Sequence, residues 1–295
     1  MGSGEKKITG ILLMLCASAC FVTMSTLVKA MGDSVPLPEL MFLRCLLAVP
    51  VLFVSLVRRG EPLVTRAWKV LLLRTVFGSV AMFCFYYALI NMPLADCVFL
   101  GRTQPLLLTL AAPFIVGERT PKEAWVAILC GLAGSLFIMR PGLAWSGAAW
   151  VALLAAATSA IAHLFVRKLG RTDNPGVIVF NFTFLLAAVS GLLGYQSFVI
   201  PNLRQWGFIA SISFFASSGQ YLLTMAYRHD KAPAIAASSY ASVVLSVIYG
   251  YFFWSEVPSA ATWVGGVCIV SGGIWLVYSR LRKQQRREKT NAFHL

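Results

Sequence analysis

Long apolar runs alternate with short polar connections along almost the whole chain. Between charges, Pro and Gly, the runs fall near residues 8–31, 38–57, 67–91, 95–116 and 124–140, and again near 147–166, 175–199, 205–227, 233–254 and 260–280. A helix rising about 1.5 Å per residue needs roughly 20 apolar residues to cross a hydrocarbon core about 30 Å thick. The pattern therefore predicts an all-α membrane protein with ten transmembrane helices joined by short connections.

Composition points the same way. With 58% hydrophobic and 12% charged residues in 295, the chain has too little polar surface to wrap its apolar side chains in water. The net charge of +14 raises the question of nucleic acid, but the basic residues sit in short loops rather than on a binding face, so a bilayer and a small-molecule substrate are the expected partners and nucleic acid is not. The state expected is a monomer or homodimer. All seven cysteines lie within apolar runs without metal-ligand spacing and are expected as buried thiols.

Lys and Arg also set direction, because they are retained on the cytoplasmic side. One set of alternate loops and termini holds nineteen of the 25, the other only Arg140 and Arg204, and Lys29, Arg44, Arg74 and Arg102 lie within helices. An even number of crossings with both termini cytoplasmic accounts for this split, in the inner (plasma) membrane.

The sequence matches itself at a shift of 138 residues without a gap. Trp68 falls on Trp206, Trp125 on Trp263, Cys130 on Cys268, Glu118 on Glu256 and Arg66 on Arg204. Each half holds five crossings, so the second enters the membrane opposite to the first. Residues 1–142 are read as a first five-helix repeat, 143–282 as a second, inverted one, and 283–295 as a basic cytoplasmic tail. Inverted repeats are a transporter device, since two similar units packed oppositely can exchange conformations around a midplane site.

The residues resemble the drug/metabolite transporter superfamily, in particular its EamA-type members with tandem five-helix units. The resemblance is carried by Tyr87-Ala88-Leu89 running into the turn at Asn91 to Ala95, by Pro105, by Gly117-Glu118-Arg119, and by Glu39 with Phe42-Leu43-Arg44. The second half departs from the pattern, with Ser255 before Glu256 and Arg228-His229-Asp230-Lys231 in place of the apolar turn. The resemblance implies a central cavity lined by the first, third, fourth, sixth, eighth and ninth crossings. It also implies export of amino acids or related metabolites, or uptake of nucleoside-derived or carboxylate compounds.

Polar residues within the runs are the candidate site, because an ionised side chain near the bilayer centre must face protein, water or substrate. Arg102, two turns into the fourth crossing, has Tyr240 as its shifted counterpart; it either recognises a substrate carboxylate or phosphate or pairs with a backbone carbonyl. Gln104 with its counterpart Ser242, Phe83 with its counterpart Tyr221, and Tyr87 and Gln220 would add hydrogen bonds and aromatic faces, or serve ordinary helix packing. Arg44 and Arg74 read as structural, Lys29 as an interfacial anchor, and His163 as interfacial rather than a proton carrier. Glu118 and Glu256 read as helix-end carboxylates that stabilise the start of the next helix. Small residues every fourth position, Ala148, Ala152, Ala156 and Ala160, and Ser238, Ser242, Ser246 and Gly250, mark close-packing faces.

No carboxylate falls at a mid-membrane position, which favours facilitated transport or weak coupling. The eleven acidic residues are scattered, without the paired acids or metal-ligand spacing that an integral-membrane transferase would use. The expectation is a transporter with no cofactor and no catalytic residues, exporting a small carboxylate-bearing metabolite; uptake of a nucleotide-like or other organic compound is the alternative.

Overall fold

The computed structural model describes residues 3–115, 117, 122–139, 147–170, 172–196, 198–229 and 241–292. Among these residues there are eleven α-helices and no strand. They are α1 (Ser3–Met31), α2 (Leu37–Arg58), α3 (Trp68–Asn91), α4 (Leu94–Gly101), α5 (Gln104–Ile115) and α6 (Lys122–Met139). The remainder are α7 (Gly147–Leu169), α8 (Pro175–Gly194), α9 (Leu203–His229), α10 (Ala241–Trp254) and α11 (Ala260–Ala292).

Among the described residues, six stretches are long and apolar enough to cross a membrane, namely Leu12–Ser34, Leu37–Arg58, Trp68–Asn91, Leu94–Ile115, Gly147–Val166 and Pro175–Gly194. Shorter apolar helices cover Ile128–Ile138, Ala241–Trp254 and Ala260–Trp275. Large apolar side chains cover the outside of the bundle, among them Val51, Phe53, Val76, Leu192, Phe252 and Val267, all exposed. Such a surface is stable in lipid and would associate in water. It also corrects the expectation for the cysteines: Cys16 and Cys130 are exposed and only Cys45 and Cys97 are buried. In a membrane protein an apolar run faces lipid as readily as core.

Three helix boundaries differ from the hydropathy reading. The run 95–116 is broken into α4 and α5 at Arg102 and Thr103. Helix α8 stops at Gly194, and Phe198, Val199 and Ile200 belong to the following connection, which is fastened when the Val199 N–H donates to Glu39 Oε2 at 2.9 Å. Helix α11 runs on through the basic residues to Ala292.

The main packing pairs are α1 with α9, α3 with α7, α2 with α8 and α6 with α11. The buried alanine face of α7, Ala148, Ala152, Ala156 and Ala160, lets it lie close, and α3 is its main neighbour. Phe77 stacks on Phe165 across that pair with centroids 6.0 Å apart. At the crossing of α6 and α11 the glycines matter: a Cβ on Gly134 would strike the Gly265 carbonyl oxygen, and one on Gly265 the Gly134 oxygen.

Among the described residues the core is lopsided. One continuous cluster gathers Met24, Val28, Leu40, Met41, Tyr86, Leu89, Ala149, Ala152, Ile209 and Ile269 around α4, where every residue from Leu94 to Leu100 is buried. Beyond the break, α5 buries only Leu106, Thr109 and Ala112. There the packing falls into small separate groups, Leu106 with Ile128, Met14 with Ala17 and Ala226, and Leu71 with Leu169 and Ile178.

Candidate functional site

Pro105 makes the break in the fourth run. Its nitrogen carries no hydrogen to donate to the Gly101 carbonyl, and its ring crowds that carbonyl, so the α-helical ladder stops one turn earlier. The chain tightens instead, with the Arg102 N–H donating to Phe99 O at 2.9 Å and the Thr103 N–H to Leu100 O at 3.0 Å, before α5 restarts on Thr103. Arg102 therefore sits in the irregular turn between α4 and α5, and it is partly exposed.

From there its guanidinium Nη2 donates to Ser242 Oγ on α10. Ser242 is buried, and it is the shifted counterpart of Gln104, two residues after Arg102. The structure thus brings Arg102 and Ser242 together, while Gln104 is partly exposed at the start of α5. A second polar contact ties α1 to α10, where the hydroxyls of Thr23 and Tyr249 lie 3.5 Å apart. Tyr240 and Glu118 lie outside the described residues.

The other candidates distribute differently. Phe83 is partly buried against the main core. Tyr87 on α3 and Gln220 and Tyr221 on α9 are exposed. The buried phenol on α3 is instead Tyr86, whose hydroxyl donates to Met24 Sδ at 3.6 Å. Arg44 reaches Met82 Sδ from Nη2 at 3.0 Å and lies 5.7 Å from the Tyr86 ring centroid, with its Nε unpartnered. Arg74 lies 3.8 Å over the Phe182 ring, also with Nε unpartnered. Both guanidiniums use aromatic faces that attract cations. The exposed His163 turns back on its own helix, its Nδ1–H donating to Ser159 O at 2.8 Å.

The sequence presents Lys29 and Glu256 as separate helix-end groups, and the structure joins them. Lys29 Nζ lies 2.7 Å from Glu256 Oε1 and donates to the Met92 carbonyl at 2.5 Å. Glu256 Oε2 accepts the Leu94 N–H at 2.8 Å, so it caps α4 rather than the helix that follows it in sequence. The repeat preserves both charges, since 29 and 167 are both basic and 118 and 256 both acidic. Nothing in the sequence marked Thr23 and Tyr249, because neither has a polar counterpart at the shift.

A cavity of about 290 Å³ lies between α2 and α8, lined by Glu39, Phe42, Ser190, Gly191, Gly194, Tyr195 and Phe198, and none of the expected site residues takes part in it.

The EamA-like transporter family matches this sequence twice, at residues 8–140 and at 146–278. The chain belongs to the EamA-like transporter family. Its relatives include the pseudopaline exporter of Pseudomonas aeruginosa, 34% identical over 278 residues and covering 93% of this chain and 97% of the relative. A riboflavin transporter of Vibrio cholerae is 24% identical, with 94% and 95% covered, and human solute carrier family 35 member G1 is 25% identical, with 90% and 78% covered. One crystal structure superposes with a TM-score of 0.60 at 23% identity, covering 95% of this chain and 98% of that one, which establishes the likeness of fold. The protein is a multi-pass transporter of the plasma membrane, and family and relatives indicate transport rather than catalysis.

Proposed function

We propose that this transporter exports small carboxylate-bearing metabolites, such as amino acids or their derivatives, by alternating access. In this reading ten crossings form two inverted five-helix halves, with both termini cytoplasmic. The observation that carries the substrate class is Arg102: a guanidinium at membrane depth, in the turn that Pro105 opens, with Ser242 beside it. A guanidinium matches a carboxylate in charge and in the geometry of its paired donors. The relative named as a pseudopaline exporter supports export as the direction.

Uptake of a larger organic compound is the second reading, and the relative named as a riboflavin transporter favours it. The exposed Tyr87 and Tyr221 would then offer aromatic faces to a ring.

Purified protein in liposomes, challenged with labelled amino acids, organic acids and flavins, decides between them. Arg102→Gln removes one charge-assisted contact worth about 1.5–3 kcal/mol, a fall of about 10–100-fold in transport of carboxylates. Uncharged solutes should be spared. An equal loss for charged and uncharged solutes would remove Arg102 from recognition, and failure to move any amino or organic acid would remove the substrate class.

A further inference from the structure

We propose that the Lys29–Glu256 ion pair is the lock that holds one face of the transporter closed. The inference rests on the alternating-access reading above.

The contacts join three elements that a closed face must bring together. Lys29 comes from the end of α1, its acceptor Met92 and the capped Leu94 from the α3–α4 turn, and Glu256 from the α10–α11 turn. The lysine also lies 5.4 Å from the Trp254 ring centroid. Both carboxylate oxygens are used, one by the ammonium and one by a helix N–H that has no partner within its own helix. The pair sits at the packed end of the molecule, where all of Leu94 to Leu100 is buried.

Its burial suits a switch rather than a fixed brace. The Lys29 and Glu256 side chains are 9% and 20% exposed, so the closed pair is largely withdrawn from water. When that face opens, water enters and hydrates both charges, which makes separation far cheaper than stripping an ion pair inside a dry core. An apolar plug would instead expose hydrocarbon to water on opening.

One backbone conformation recurs at the shifted positions. Glu256 follows Ser255, whose φ of 54° is left-handed, a conformation costly for a side chain other than glycine. At the shifted position Gly117, which precedes Glu118, has φ 72°. Gly250 leaves the room the carboxylate needs, because a Cβ there would lie 3.2 Å from Glu256 Oε2.

The test reads accessibility and needs no substrate. Thr23→Cys, six residues and about 9 Å deeper on α1 than Lys29, is introduced into a chain whose seven native cysteines are replaced. A membrane-impermeant maleimide is then applied to sealed vesicles of each orientation. Glu256→Gln keeps an oxygen for the Leu94 N–H while deleting the charge, and Lys29→Met deletes the partner. Each should raise labelling from the Lys29 face by about fivefold or more and lower it from the other face. The double variant should add nothing to either single one, since both remove one interaction. Lys29→Arg should retain the parent's rates. Should one single variant fail to fold, the other carries the test.

Rates within about twofold of the parent from both faces, in variants that elute as folded protein, overturn the lock; so does an equal rise from both faces, the mark of a loosened bundle. Face-specific shifts without transport of any carboxylate would overturn the substrate assignment and leave the lock standing.

Discussion

Among the described residues, the two ends of the bundle are packed to different degrees. At the α4 end a single core runs from α1 to α11, closed over by Lys29 and Glu256. At the α5 end the apolar contacts divide into small groups, and the fourth run buries only Leu106, Thr109 and Ala112 there. Since apolar residues abound at both ends, the difference is one of arrangement. The chain places a tight joint and a loose one along the same helices, and Arg102 at the turn between them.

Deleting core atoms at each end tests this contrast most strongly. Leu94 is fully buried, and Leu94→Ala should cost about 2–5 kcal/mol, because the surroundings collapse only in part into the space left. Leu110, partly buried against the small cluster of Leu106 and Ile128, should cost about 1 kcal/mol on the same change. Thermal inactivation in one detergent measures both. Equal losses would mean that the α5 end is as tightly packed as the α4 end.

The turn between the ends comes next. Pro105→Ala returns an N–H that can donate to the Gly101 carbonyl, so α4 and α5 can join into one helix. Stability should rise by up to about 3 kcal/mol, the cost of a proline within a helix. Transport should fall about tenfold as Arg102 turns away from Ser242, a change equivalent to about 1.4 kcal/mol. Transport at the parent rate in a stabilised protein would show that the break has no part in recognition.

Much of this arrangement is legible in the sequence, and the exceptions share a cause. Run length and hydropathy locate the helices because lipid imposes one requirement on every crossing. The four-residue spacing of small side chains on α7 likewise identifies a face that is buried throughout. Hydropathy averages over a window, however, so it passes through Pro105 and on into Phe198, Val199 and Ile200, where local hydrogen bonding decides the structure. Side-chain partners were not legible: the repeat preserves the charges of Lys29 and Glu256, but nothing in the sequence says that the two meet. Tyr86 and Tyr87 are neighbours of identical chemistry, and only the rotation of α3 makes the first a buried donor to Met24 and leaves the second exposed.

The smallest expected effect compares one backbone position in both halves. Ser255 and Gly117 have left-handed φ values of 54° and 72°, and both precede a glutamate at the end of a run. A side chain in this conformation costs about 1–2 kcal/mol, while glycine gives back about 0.5–1 kcal/mol through the extra freedom of the unfolded chain. Ser255→Gly should therefore stabilise the protein by about 1 kcal/mol or less, and Gly117→Ala should destabilise it by about 1 kcal/mol. The two changes have opposite signs because the left-handed position carries a side chain at Ser255 and none at Gly117. If Ser255→Gly destabilised instead, the serine hydroxyl would be contributing more than its backbone costs. Differential melting of the pair, with the Glu256→Gln background as reference, separates that contribution from the ion pair which the strained turn presents to Lys29.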